Sequence, residues 1–183
     1  MLGFISIDCG LPENSNYTEK ITGIHYISDA EFINTGVRMS ISPAKMITQQ
    51  QQLHFVRSFP RGVRNCYRIN VTSGIQYLIR ATFYYGNYDN LNEPPQFDLH
   101  FGANDWGTVK FTNLSRTTIK EIIYTPSLDY IQPCLVNTGN GTPFISVIEL
   151  RTLNNSNDFT YSSPVLSLVE RFNIGSTTSK GYR

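Results

Sequence analysis

The sequence predicts an all-β fold, an antiparallel, jelly-roll-like β-sandwich with at most short helices, and three observations carry that prediction. Apolar residues recur with period two, as at Tyr77, Ile79, Ala81 and Phe83, where successive side chains of a strand point to opposite faces. Aromatic residues make up 13% of the chain, with 11 Tyr and 11 Phe, while long runs of Ala, Leu, Glu and Lys are missing, a composition that favours strands over helices. Gly, Pro, Asn and Ser clusters cut the chain at short intervals, the spacing of a sandwich. At 183 residues and 40% hydrophobic content there is enough chain for one β domain with a sizeable core and a tail, and too little for two complete domains.

Taken in order, residues 4–10 read as a first strand with Ile5, Ile7 and Cys9 on one face, ended by Gly10 and Pro12. Residues 13–20 read as a polar loop, and 24–41 show a mixed pattern in which 29–33 suits a helical turn or a short strand and Thr35-Gly36 a turn. The glutamine run at 49–52 is a solvated connection or the start of the next strand. Leu53, Phe55, Arg57 and Phe59 then alternate with His54, Val56 and Ser58, before a turn at Pro60-Arg61-Gly62. A strand over 66–71 turns at Ser73-Gly74 into the central hairpin. Its first strand runs from Tyr77 to Phe83, and its second alternates Phe97, Leu99 and Phe101 against Asp98 and His100. Further strands are expected at 109–112, 119–124, 128–136 and 144–150, with turns at 113–115, at Pro126 and at 138–142. That makes about eight or nine strands of ordinary length, which two packed sheets accommodate with most edges hidden.

The expected lobe covers residues 1–153. Residues 154–183 read as a linker rich in Asn and Ser, followed by an incomplete second copy, because Phe172-Asn173-Ile174-Gly175 repeats the shape of Ile7-Asp8-Cys9-Gly10.

Fifteen Lys and Arg against 14 Asp and Glu leave a charge of +1, so no electrostatic footprint for nucleic acid or an anionic membrane is present. No apolar stretch is long enough to cross a bilayer, and the start lacks the basic and apolar regions of a signal peptide, so direct membrane insertion by this chain is not expected. Cys9, Cys66 and Cys134 match no metal spacing; they allow at most one intramolecular disulfide, in any of three pairings. His25, His54 and His100 have no partner at metal-ligand spacing, and no H-E-x-x-H, G-x-S-x-G or P-loop pattern occurs. No metal, cofactor or catalytic residue is therefore expected. Glu93 and Asp98 are the one pair that suggests glycoside cleavage, yet an Asp alternating with Phe97 and Leu99 reads as an ordinary outward residue. Asn16, Asn70, Asn113, Asn140 and Asn154 all stand in N-x-Ser/Thr sequons and are the candidate glycosylation sites of a secreted protein. Asn70 lies opposite the apolar face of Tyr67, Ile69 and Val71, which turns it to solvent.

The candidate ligand site is the aperiodic segment between the hairpin strands, which holds Tyr84, Tyr85, Tyr88, Asp89 and Asn90. A ring can stack on the apolar face of a pyranose while Asn and Asp exchange hydrogen bonds with its hydroxyls, and the same mixture suits a peptide. Tyr84 and Tyr85 are adjacent, so they point to opposite faces and one of them can belong to the core. Tyr88, beyond the strand, is the firmest candidate for contact.

The ordered blocks GFISIDCG, SDAEFI with the following TG, LHFVRSFPRGVRNCYRINV, YLIRATFYYGNYDNLNEPPQFDLHFGANDW, KEIIYTPSLDYIQPCLVNTGNGTPFISVIELR and RFNIGS resemble the malectin-like ectodomain of plant leucine-rich-repeat receptor kinases over nearly the whole chain. Those ectodomains carry two malectin-like lobes, then leucine-rich repeats, a membrane span and a cytoplasmic kinase. The resemblance implies that this chain is the first lobe with the opening strand of the second, and that it lacks the kinase. It implies a galactose-binding-like sandwich at the extracellular face of the plasma membrane. It also implies a non-catalytic recognition role toward cell-wall carbohydrate or, alternatively, a peptide or co-receptor. Animal malectin, a distant relative, binds a glucose disaccharide with rings and an aspartate on loops at one end of its sandwich. By motif, its ring-bearing loop falls on 85–88, its aspartate-bearing loop near Asn140, and its remaining rings in stretches that contain Phe32 and Phe55.

Overall fold

The structure, a computed structural model, describes residues 4–153 and the backbone of Val165–Ser167. In chain order its strands are β1 (Phe4–Asp8), β2 (Asn16–Thr18), β3 (His25–Ser28), β4 (Val37–Ser40), β5 (Phe55–Ser58), β6 (Arg64–Cys66), β7 (Ile69–Asn70), β8 (Tyr77–Phe83), β9 (Gln96–Phe101), β10 (Asn104–Val109), β11 (Thr118–Tyr124), β12 (Tyr130–Ile131), β13 (Pro133–Asn140), β14 (Phe144–Ile145), β15 (Val147–Thr152) and β16 (Val165–Ser167). A single helical turn, α1 (Pro43–Met46), and a 3-10 turn at Gln51–Leu53 separate β4 from β5.

A seven-stranded sheet in the order β16-β11-β8-β15-β1-β3-β2 packs against a four-stranded sheet, β10-β9-β13-β6, and smaller sheets, β14-β5-β4 and β12-β7, close the remaining sides. The predicted alternation holds where the two large sheets meet, but the expected central hairpin does not form. β8 pairs with β11 and β15 in one sheet and β9 with β10 and β13 in the other, because the long segment between them carries the chain across the sandwich. Tyr77, Ile79, Ala81 and Phe83 of β8 and Phe97, Leu99 and Phe101 of β9 are all buried, and the Phe83 and Phe97 rings meet edge-on with centroids 5.7 Å apart. Every such pair removes large apolar area from water, the main favourable contribution to folding.

Elsewhere the strands are shorter and more numerous than the pattern suggests, because the chain changes sheet within apolar runs. The expected strand over 144–150 breaks at Ser146, whose N–H donates to the Thr82 carbonyl and whose hydroxyl accepts from the Tyr84 N–H at 3.0 Å. That break moves the chain from β14 in the small sheet to β15 in the large one. Residues 66–71 split in the same way between β6 and β7. The expected loop at 13–20 contains β2, which pairs with β3. Val165–Ser167, inside the 154–183 segment read as linker and opening strand of a second copy, pairs antiparallel with β11, with Tyr124 opposite Val165. The repeat at 172–175 and the sequon at Asn154 lie outside the described residues.

The disulfide joins Cys66 to Cys134, directly opposite each other on β6 and β13, and Cys9 is a buried free thiol. The bond crosses a sequence separation of 68 residues and so restricts the unfolded chain; such bonds persist in oxidising compartments. Among the described residues no helix is long and apolar enough to cross a membrane.

Asp8 and Asp29 are buried at the end of β1 and just after β3, and they differ sharply in their partners. Asp29 is saturated: Arg57 donates to both its oxygens, at 2.5 and 2.6 Å, Gly10 N–H donates at 3.1 Å and the Tyr67 hydroxyl at 2.9 Å. Asp8 accepts one bond, from the Tyr17 hydroxyl at 2.7 Å, and its Oδ1 has no hydrogen-bond partner among the described residues. Burial therefore pushes the Asp8 carboxyl well above the usual range; the nearby Asp29 adds to the rise and the Tyr17 bond partly opposes it. A carboxyl whose folded pKa is raised keeps its proton after the unfolded chain has lost its own. Its contribution is full below the unfolded pKa and is lost as pH rises through the interval up to the folded pKa, at up to about 1.4 kcal/mol per pH unit. Urea unfolding followed from about pH 4 to about pH 8 should show Asp8→Asn gaining on the parent as pH rises, because the amide leaves Tyr17 an acceptor and does not titrate. Parallel stability curves for the two proteins would contradict this.

Candidate functional site

The tyrosines of the segment after β8 do not form an exposed platform. Tyr84, Tyr85 and Tyr88 are 2%, 1% and 4% exposed, which corrects the expectation that Tyr88 stands clear of the sandwich. The reason is a second segment far away in sequence. Phe144 of β14 lies 5.0 Å from the Tyr88 ring and 6.1 Å from that of Tyr85, and the two tyrosines meet edge-on at 5.6 Å. The Tyr88 hydroxyl donates to the Thr142 carbonyl at 3.3 Å, so the connection from β13 to β14 caps the loop. Burial raises the Tyr88 phenol to about 12. It raises Tyr85 further, with the hydrogen bond from its hydroxyl to Asp89 as the next cause.

The polar residues of the segment serve the same local purpose. Asn87, Asn90 and Asn92 have φ of 56°, 61° and 56°, the left-handed region that Asn tolerates better than other side chains. Asn87 Oδ1 accepts from the Asn92 N–H at 2.9 Å, and Asp89 accepts from the Leu91 N–H at 3.2 Å. Gly86 is required by proximity: a Cβ there would stand 2.4 Å from Ile41 Cγ2. That close approach seats the loop against the chain that follows β4, where Ser42 N–H donates to the Gly86 carbonyl at 3.0 Å.

Just beyond this contact the two segments diverge and leave a groove of about 330 Å³, with residues 38–43 on one wall and Asn87, Tyr88 and Asn90 on the other. The first wall is a sheet edge, because among the described residues β4 pairs only with β5. The Ile41 N–H donates to the His54 carbonyl, and in an antiparallel ladder every second residue makes such bonds. With Met39 opposite Val56 and Val37 opposite Ser58, those two residues face β5, and the main-chain groups of Arg38 and Ser40 point to the open side.

Of the residues predicted to bind, Tyr88 and Asn90 line this groove. Phe55 flanks it through Arg38, whose guanidinium carbon lies 4.9 Å from the Phe55 ring centroid. Tyr84, Tyr85 and Asp89 are structural. Phe32 is half-buried against the core, with its carbonyl accepting from the Arg68 N–H. Asn140 is exposed opposite Gln96; the turn after it braces the loop, since a Cβ on Gly141 would stand 2.8 Å from Pro95 Cβ. Asn16, Asn70, Asn113 and Asn140 are all exposed. Asp98 accepts from the Thr108 hydroxyl at 2.6 Å across β9 and β10, a cross-strand pair, while Glu93 is exposed. The sequence reading missed Arg38, Ser40 and Ser42. Their alternation with Met39 and Ile41 was present in 24–41 but was hidden by the turns before it.

The malectin-like domain family model matches residues 7–183 of the chain. The LRR receptor-like serine/threonine-protein kinase IOS1 of Arabidopsis thaliana is 48% identical over 181 residues, which cover 99% of this chain and 20% of that relative. A probable LRR receptor-like serine/threonine-protein kinase of the same plant is 51% identical over 164 residues, covering 88% and 19%. The chain thus spans about a fifth of the length of these curated relatives. Among solved structures, the extracellular domain of ANXUR2 from Arabidopsis thaliana superposes with a TM-score of 0.68 at 19% identity, over 82% of this chain and 41% of that one. The plant receptor-like kinase FER, in complex with the peptide RALF23 and LLG2, does so at 0.63 and 18%, over 83% and 40%. The two structural likenesses concern the fold; the family follows from the model match, and by it the chain belongs to the malectin-like domain family.

Proposed function

We propose that this lobe is a non-catalytic extracellular recognition module that takes an extended peptide segment in the groove between β4 and the loop at 86–90. The observation that carries this reading is the pairing of an open strand edge with an amide-bearing wall, while the Tyr84, Tyr85 and Tyr88 rings, at 4% exposure or less, offer no open face on which a sugar could stack. The groove falls at the lower end of the size range of ligand sites. The disulfide and the exposed sequons fit an extracellular setting, and a structural neighbour is a complex with a peptide.

A wall oligosaccharide is the second reading. It is favoured by the hydroxyl and amide side chains of Ser40, Ser42, Asn87 and Asn90 at the groove. One experiment separates the two. Ser40→Trp places bulk on the groove wall at a strand position that accepts aromatic residues. Peptides selected from a random dodecapeptide library displayed on phage should bind the parent and lose at least about tenfold, or about 1.4 kcal/mol, in the variant. Oligosaccharides that bind the parent and fail on the variant, with no peptide selected, would establish the second reading. Binding of either class unchanged by Ser40→Trp would remove the ligand from this groove.

A further inference from the structure

We infer that the peptide binds as an added β-strand, hydrogen-bonded through its main chain to Arg38 and Ser40 of β4. This rests on the groove reading above and specifies how the groove works. Residues 38, 40 and 42 share the outward phase of the ladder set by the Ile41 to His54 bond. The last of them is already engaged, since Ser42 N–H donates to the Gly86 carbonyl at 3.0 Å. The chain's own loop therefore lies along this edge at main-chain hydrogen-bonding distance, and only a glycine can do so, given the 2.4 Å approach of a Cβ to Ile41. After Gly86 the loop turns away through Asn87 and Asn90, both at positive φ, and uncovers the groups of Ser40 and Arg38. A guest strand takes up the pairing where the loop leaves it, at ordinary inter-strand spacing, with main-chain bonds supplying affinity.

The chemistry of the wall also specifies the guest. Arg38 is the charged residue among those lining the groove. Its guanidinium is held over the Phe55 ring, and no carboxylate pairs with it among the described residues. An extended segment with an Asp or Glu beside Arg38 complements it. The short length of β4 and the Arg itself are also devices that keep a free edge from pairing with another copy, so a second copy of this chain is the competing occupant.

The test uses the full chain, labelled with 15N, and dodecapeptides selected on it from a random phage library. Binding should slow amide hydrogen exchange at Arg38 and Ser40 at least tenfold and leave Met39, already bonded to β5, unchanged. Single N-methyl groups placed along a selected peptide should abolish binding at every second position. Ser40→Pro deletes an N–H that points away from β5, so the ladder survives, and it should weaken peptide binding at least tenfold, whereas Ser40→Ala should not. Peptides sensitive to Ser40→Trp but indifferent to N-methylation, with no protection at Arg38 and Ser40, would overturn strand addition and leave the groove reading intact. Failure to select any peptide would overturn both. Concentration-dependent dimerisation of the parent that Ser40→Pro abolishes would make the occupant a second copy and overturn the peptide proposal.

Discussion

Replacing Asp29 with Ala should destabilise the lobe by about 3–5 kcal/mol, the usual result of removing one partner from a buried ion pair, against a total stability of about 5–15 kcal/mol for a domain. The carboxylate is fully buried and its partner Arg57 is 13% exposed, so neither group is relieved by solvent. Deleting it leaves the guanidinium without its counter-charge and strands the Gly10 N–H and the Tyr67 hydroxyl. Unsatisfied buried donors of this kind cost about 1–3 kcal/mol each. Gly10 cannot move to a new acceptor, because at φ +94° it is packed so closely that a Cβ would lie 2.5 Å from the Val56 carbonyl oxygen. Chemical denaturation checks the size of the effect. Removing both charges with Asp29→Ala and Arg57→Met should recover much of the loss, as replacement of buried pairs by apolar groups commonly does. A single-variant loss under about 1 kcal/mol, or a double variant no better than the single, would contradict this account.

The same cluster shows what could be read from the sequence and what could not. The core faces of β8 and β9 were legible because period two is a local signal, and Tyr77 to Phe83 keeps it for a whole strand with one face in the core. Asp29 and Arg57 gave no such signal: their meeting depends on how β3 and β5 are brought together, and separation along the chain says nothing about that. The Cys66–Cys134 pairing was open for the same reason, since only the β6–β13 register puts the two side by side.

At the candidate site the residues expected to bind also serve the loop itself. Asn87, Asn90 and Asn92 hold left-handed turns, the first two while lining the groove, and Tyr85 and Tyr88 are covered by a segment more than fifty residues later in the chain. Composition alone cannot separate a polar, ring-rich loop that binds a ligand from one that packs on itself. The resemblance to malectin-like ectodomains led to the correct fold and family, yet residue by residue two of the rings it pointed to, Tyr85 and Tyr88, are buried, and two others, Phe32 and Phe55, are half-buried. The wall it passed over, Arg38 and Ser40, is an edge strand whose exposed side chains lack a continuous apolar face.

Phe144→Ala should cost about 3–5 kcal/mol, the range for a buried Phe replaced by Ala, and should damage the groove as well as the core. The ring touches both. It meets Phe83 and Phe97 of the two large sheets, at 6.3 and 6.0 Å, stacks on Phe111 at 5.6 Å, and also meets Tyr85 and Tyr88, at 6.1 and 5.0 Å. Its strand is also the inner neighbour of β5, whose outer neighbour is β4, so the cavity would open beneath both walls of the groove. For a chain of this size the loss corresponds to a fall in Tm of about 10 °C, which thermal melting would measure. Phe144→Leu keeps most of the volume and should lose well under half as much. The informative comparison is with Phe111→Ala, which removes a half-buried ring that stacks on Phe144 and has no ring contact with Tyr85 or Tyr88 among the described residues. If Phe144 supports the loop, its loss weakens ligand binding even at temperatures where the lobe stays folded, while Phe111→Ala lowers stability and leaves binding intact. Equal effects on binding would mean that the groove depends on the stability of the whole sandwich and that the seating of Tyr88 contributes nothing of its own.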